Sequence, residues 1–205
     1  MRKLIVSNLV SLDGYIAGPD GNLMAMPFDE SFSQRNVELL READTVLLGR
    51  RTYSEFAAYW HQIADDRSQP AVEREIARLN AKARKVVVSD ILTGGIGAWA
   101  DTTEVIHPDD LADGVASLKA QPRKPSTKTK NIVTFGSATL VRSLLQLGLV
   151  DELRLQVGAN AVGHGTPLFG GPIPGRITLV DASVPEGSQN AVLTYAIEAD
   201  TESPD

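Results

Sequence analysis

Apolar and polar positions alternate in blocks along the chain, and the blocks change period. Residues 3–10 (KLIVSNLV) form a β-branched, apolar run that predicts a buried first strand. Residues 30–42 repeat at helical spacing, with Phe32, Val37, Leu39 and Leu40 as the inner face. A short buried strand is expected over 45–48, stopping at Gly49, and a helix over 50–59. Residues 70–82 carry the clearest amphipathic pattern: Pro70 suits the first turn, and Val72, Ile76 and Leu79 share one face. Strands follow over 85–89 (KVVVS) and 131–135 (NIVTF), with a weaker helix over 109–120 between them. The next helix runs through Leu147 with Leu140, Val141, Leu144 and Leu145 inside, and Gly148 suits its left-handed end. A strand over 152–157 precedes a Gly/Pro-rich stretch over 158–175, and residues 176–184 and 190–199 read as a closing antiparallel hairpin.

This alternation predicts an α/β fold: a mostly parallel sheet covered by helices, with a hairpin at one edge. There is no internal repeat and no domain boundary, so residues 1–200 are expected to form one domain and 201–205 a frayed tail. The segment 11–28 (SLDGYIAGPDGNLMAMPF) is rich in glycine and proline yet carries Tyr15, Ile16, Leu23, Met24, Met26 and Phe28. Such a loop either closes over a ligand or packs back on its own core. Residues 121–130 (QPRKPSTKTK) form a basic, proline-containing loop. Its Arg123, Lys124, Lys128 and Lys130 either meet a phosphate or stay solvated.

Composition narrows the chemistry. The chain of 205 residues contains no cysteine, which excludes a disulfide scaffold, a thiolate zinc site and a cysteine nucleophile. A net charge of −6 argues against a general nucleic-acid binder. The apolar run at the N-terminus is too short for a signal-peptide core or a membrane span, which makes a cytoplasmic protein with no membrane partner the expectation. The histidines His61, His107 and His164 show no metal-ligand spacing, so no metal is expected. No GxSxG elbow supports a hydrolase. His164, between two glycines, is either a proton donor or simply exposed.

Two strand-to-helix turns carry the binding chemistry. In the first, a strand ends at Gly49 and Arg50, Arg51 and Thr52 open the next helix. Helix N-terminal amides lack partners and carry partial positive charge, and arginines there favour a bound anion. The alternative is two surface arginines beside a threonine. In the second, Phe135 gives way to Gly136, Ser137, Ala138 and Thr139, where Ser137 either caps the helix or meets a phosphate oxygen. Neither turn is the GxGxxG dinucleotide fingerprint. Both would lie at the carboxyl ends of strands, where open α/β sheets bind ligands, and a dinucleotide has phosphates for both. Ser89 follows a third strand and could contact an adenosine 2′-phosphate, although Asp90 beside it argues the other way.

The stretches SLDGYIA (11–17), LLGRRTY (47–53), KVVVS (85–89), FGSATLVRSLLQLGLVDEL (135–153) and VGHGTPLF (162–169) occur in the order seen in a known family. The chain resembles the reductase domain of the bifunctional riboflavin-biosynthesis deaminase-reductase (the RibD C-terminal domain) and its dihydrofolate-reductase-like relatives, over roughly residues 3–199. The resemblance implies a dihydrofolate-reductase-like fold, NADPH as cofactor and a homodimer. It places Gly49, Arg50, Arg51 and Thr52 at the cofactor's phosphates and adenosine end, and Ser89 near the 2′-phosphate. Gly136, Ser137, Ala138 and Thr139 would cradle the pyrophosphate, with Ile16 and Ala17 against the nicotinamide. There are departures. The deaminase half is absent, Tyr15 stands where SLDGK members carry lysine, and the Asp-Asp-Pro expected after the first turn is replaced by residues 53–60 (YSEFAAYW). These changes remove groups that would meet a sugar phosphate.

The function expected is hydride transfer from NADPH to a polar small molecule. Candidate substrates are 5-amino-6-(5-phosphoribosylamino)uracil, as in riboflavin biosynthesis, or a related pteridine or pyrimidine. The protein would orient the cofactor and exclude water. Asp13 is the candidate catalytic carboxylate, orienting substrate or relaying a proton, unless it only shapes an Asx turn with Gly14. Tyr15, Phe28, Tyr53 and Trp60 are candidates for the substrate pocket, with core packing the alternative for each. Asp29 and Glu30 lie near the acid that dihydrofolate reductases direct at the pterin ring. The competing function is a non-catalytic nucleotide-binding protein that keeps the fold, and a third is a scaffold that binds no nucleotide.

Overall fold

In the computed structural model, which describes residues 1–121 and 130–199, the predicted blocks assemble into one eight-stranded sheet. The basic stretch 122–129 and the tail 201–205 lie outside the described residues. The strands are β1 (Leu4–Val10), β3 (Ala43–Gly49), β4 (Arg84–Val88), β5 (Thr103–Ile106), β6 (Asn131–Thr134), β7 (Glu152–Val157), β9 (Arg176–Ser183) and β10 (Ala191–Glu198), in the order β5-β4-β3-β6-β1-β7-β10-β9. From β5 to β7 all neighbours are parallel. The closing hairpin is antiparallel, with β10 pairing β7 and β9 pairing β10. Two short strands, β2 (Tyr15–Ala17) and β8 (Thr166–Pro167), pair separately and tie the first loop to the Gly/Pro-rich stretch.

The helices cover both faces, as apolar runs in parallel strands require. The helices α4 (Leu111–Ala120) and α5 (Ala138–Gln146) pack Val115, Leu118, Val141 and Leu144 against Leu4, Val6, Leu47 and Ile132. On the opposite face α1 (Glu30–Glu42), α2 (Arg50–Ile63) and α3 (Ala71–Lys82) pack Val37, Leu40, Tyr53 and Ile76 against Ile5, Val46, Leu48 and Val133. Alternation along β3 therefore sends Leu47 one way and Val46 and Leu48 the other. Among the described residues no helix is long and apolar enough to cross a membrane.

Two details differ from the sequence reading. Pro70 caps α3 from just outside instead of sitting in its first turn. β5, the outer strand beside β4, was not expected: it has four residues, and only Ile106 is buried, so its apolar signal is weak.

The order of strands creates the site. The chain leaves β1 towards β3, β4 and β5, returns to insert β6 between β3 and β1, and then departs the other way to β7. The carboxyl ends of β3, β6 and β1 flank this reversal, which is where open α/β sheets form a crevice.

Candidate active site

The two turns singled out in the sequence meet at this reversal. Gly49, the last residue of β3, lies against Ser137, which caps α5. A Cβ placed on Gly49 would come within 2.9 Å of the Ser137 hydroxyl. A larger residue would have to turn that hydroxyl aside and would press on the Ser137 amide, 3.7 Å from the same point. Gly136 adopts φ +120°, a region that L side chains disfavour, and lets the chain turn from β6 into α5. Neither α2 nor α5 has a side chain capping its first amides. Two positively polarised helix starts are thus left uncapped side by side.

They open into a cleft of about 640 Å³ on the α4–α5 face. Gly49, Arg50, Ser137 and Thr139 line it together with Val88, Pro108 and Arg142. Arg142 had not been singled out. It lies one turn into α5, within a pattern that reads as an ordinary amphipathic helix. The carbonyls of Pro167 and Leu168 hold its guanidinium across the cleft.

A second cavity, of about 220 Å³, lies on the opposite face beneath α1, α2 and α3. Its walls are aromatic and aliphatic, with Phe28, Phe32, Phe56, Trp60 and Phe135 among them. Ile16, Leu23 and Met26 from the first loop also line it, so that loop does close over a pocket. The two spaces have no lining residue in common, but one turn contributes to both. Phe135 lines the apolar cavity, Ser137 lines the cleft, and Gly136 joins them.

Several candidates sit elsewhere. Tyr53 is fully buried in the core, and its hydroxyl pairs with Thr103 and accepts the Ile96 amide. Those bonds and its contact with Trp99 hold it in the core at the start of α2, while Phe56 and Trp60, further along the same face, line the cavity. Tyr15 points its hydroxyl at the Gly163 carbonyl. Ala17 is buried in β2, and Ala138 is buried under the second turn. Arg51 is exposed and paired with Glu55 at 3.0 Å. Thr52 does not line the cleft. Ser89 is buried, and its hydroxyl accepts the amides of Ile91 and Leu92, capping the turn after β4. His164 is exposed and lines neither space.

The acids also hold structure. Asp13 accepts from the Ser11 hydroxyl at 2.5 Å and from the amides of Gly163 and Val162 at 2.7 and 3.1 Å, clasping the two loops together. Those hydrogen bonds, Ser11 first, hold its carboxyl down at about 2. A carboxyl ionised so firmly is a poor proton donor near neutrality, and its bonds make it a clasp between two loops, a different role from an Asx turn with Gly14. Asp29 caps α1. Burial alone would raise its carboxyl, but hydrogen bonds from Ser188, Ser31 and the Phe32 amide outweigh it and hold the group below its usual range. Glu30 is exposed. Among the described residues no ionisable side chain lines the apolar cavity.

Comparison with known proteins agrees with this architecture. Residues 2–192 match the RibD C-terminal domain. The uncharacterized protein YyaP of Bacillus subtilis is 30% identical over 170 residues, covering 82% of this chain and 80% of that protein. The crystal structure of a pyrimidine reductase-like protein from Corynebacterium diphtheriae superposes with a TM-score of 0.61 at 18% identity, over 97% of this chain and 93% of its own. Dihydrofolate reductase from Enterococcus faecalis, complexed with NADP(H), superposes with a TM-score of 0.57 at 15% identity, over 95% and 96%.

Proposed function

The chain belongs to the RibD C-terminal domain family, and we propose that it is an NADPH-dependent reductase of a small molecule. The observation that carries this reading is the junction of two uncapped helix starts across Gly49 and Ser137, in a cleft one turn of chain away from an aromatic cavity. The residues fit the cofactor. The bare backbone at Gly49 and Gly136 admits a pyrophosphate, the amides of α2 and α5 would donate to it, and Arg50 and Arg142 would balance its charge. When bound, NADPH supplies a hydride. The protein's part is to hold the nicotinamide at the Phe135–Gly136 turn, with Ile16 against it and Phe28, Phe56 and Trp60 excluding water from the substrate side.

With Ser89 and Arg51 both engaged, preference for the 2′-phosphate would rest on Arg50. The apolar cavity offers no cation for a sugar phosphate, in keeping with the loss of the SLDGK lysine at Tyr15. The substrate is therefore proposed to differ from the phosphoribosylaminouracil of riboflavin biosynthesis. The same lack of an ionisable group in the cavity favours, as a second reading, a nucleotide binder without turnover. A homodimer would cover β9, every residue of which is exposed at the sheet edge, including Ile177, Leu179 and Val180.

The test is fluorescence titration with NADPH and NADH, followed by a turnover screen. Saturable NADPH binding, with NADH weaker, supports the assignment, and oxidation with any acceptor establishes the reductase over the silent binder. Failure of both nucleotides to bind overturns both readings.

A further inference from the structure

Building on the reading of the apolar cavity as the substrate side, we propose that it selects an uncharged, flat ligand of one or two rings. The ligand would present an N–H or O–H donor to Asn8, and the cavity would exclude phosphorylated or carboxylated molecules. Three observations converge. The first is an unfilled polar valence. Asn8 on β1 is 8% exposed and lines the cavity, and its Oδ1 has no partner. Its Nδ2 donates to the Phe135 carbonyl at 3.3 Å, which fixes the orientation of the amide and makes the free atom an acceptor. A buried acceptor left unpaired is unfavourable, so a ligand that brings a donor to Asn8, which borders both the cavity and the adjoining crevice, would gain from it.

The second observation is Asn80 on α3. It is 2% exposed and lines the same cavity, and the neighbouring Lys85 bonds its backbone carbonyl, which leaves the side-chain amide out of that bond. Amides from β1 and α3 can read a ring that carries a donor on one edge and an acceptor on another. The aromatic residues between them suit a planar ring. The third is charge. Among the described residues the lining contains no ionisable side chain, and an unpaired anion is strongly disfavoured in an apolar cavity. The nearest cations, Arg35 and Arg154, lie in an adjoining crevice of only about 10 Å³. Both are already paired with carboxylates, Arg35 with Glu38 and Arg154 with Glu42 and Glu152.

The experiment is calorimetric titration of the full chain with two probes of similar frame, each with and without saturating NADPH. One is 4-quinazolinone, a neutral bicyclic lactam, and the other is quinoline-4-carboxylate, an anion. The lactam is expected to bind, and the carboxylate to bind at least about tenfold more weakly. Asn8→Leu and Asn80→Leu, checked for folding by thermal unfolding, should each weaken the lactam by about tenfold, and NADPH affinity should stay as in the parent chain for Asn80→Leu, which lies away from the Phe135–Gly136 turn. The comparison of probes on the parent chain stands even if a variant fails to fold. The proposal is overturned if the lactam does not bind, if the anion binds as tightly, or if folded variants bind the lactam unchanged. NADPH binding without lactam binding removes this proposal alone, whereas loss of NADPH binding removes the reading on which it rests.

Discussion

The two spaces on either side of the Phe135–Ser137 turn both have largely apolar walls but differ in charge. The cleft on the α4–α5 face sets two arginines and the hydroxyls of Ser137 and Thr139 among aliphatic residues such as Val88, Leu111 and Leu140, beside two uncapped helix starts. The cavity on the other face is framed by aromatic rings and asparagines and has no ionisable side chain among the described residues. The first arrangement attracts a diffuse, multiply charged group through helix starts and guanidinium. The second desolvates what enters it and offers only neutral hydrogen bonds. One sheet can hold both because alternate residues of its strands serve opposite faces, while the carboxyl ends remain common to both. The difference teaches that, under the proposed function, cofactor attraction and substrate discrimination would be separable, and each could be disturbed alone.

The largest expected effect comes from filling the junction. Gly49→Val would push the second turn away, and NADPH affinity should fall about 100-fold by titration, equivalent to two factors of ten in the dissociation constant. The double variant Arg50→Ala, Arg142→Ala leaves the backbone cradle intact and should lose about tenfold, with a shallower dependence on salt than the parent chain. Lys85→Met lies outside both spaces. Its buried amine donates to the Asn80 and Ala83 carbonyls at 2.6 and 2.7 Å and stands 4.4 Å from the Trp99 ring centroid. Removing it leaves the end of α3 unpaired, so denaturant unfolding should show a loss of about 2 kcal/mol with NADPH affinity unchanged.

Burial pushes the Lys85 amine down to about 8 from 10.5. Between those values the unfolded chain binds more protons than the folded one, so this group's contribution to stability should rise with pH across that window in the parent and be absent in Lys85→Met. Asp13→Ala cuts the clasp between the two loops. In the parent, the clasp's contribution is complete above 3.8 and lost as pH falls towards about 2, and proteolysis of residues 158–165 should increase over the same range and be insensitive to pH in the variant. The smallest effect belongs to Arg51→Ala. Its exposed pair with Glu55 leaves it aside from the cleft, and NADPH affinity should change by less than about twofold. A large loss there would show that Arg51 turns inward when the nucleotide binds.

The layered α/β architecture was legible because buried parallel strands and amphipathic helices write different periods, as residues 45–48 and 70–82 illustrate. The two phosphate-type turns were legible as glycines between a strand and a helix. That they touch was not, because β3 and β6 are separated by more than eighty residues and become neighbours only through the late insertion of β6. Tyr53 illustrates a further limit. An aromatic residue after a binding turn can face the pocket or the core: Tyr53, Phe56 and Trp60 share one face of α2, and Tyr53, in the first turn, is taken up by the core beside Trp99 while Phe56 and Trp60 further along reach the cavity. Arg142 was hidden for the converse reason, since a basic residue on an amphipathic helix is indistinguishable from a solvated one until the cleft is formed. Ser89 and Asp13 carry the right chemistry, but their hydrogen bonds are used by the turn after β4 and by the clasp between two loops.

The most direct test of the central claim is a co-crystal structure with NADP⁺. The account predicts the pyrophosphate at the amides of Gly49–Arg50 and Ser137–Thr139, with Arg142 nearby and the nicotinamide at the Phe135–Gly136 turn facing the aromatic cavity. A nucleotide bound away from those two helix starts, or none bound from a saturating soak, would contradict it.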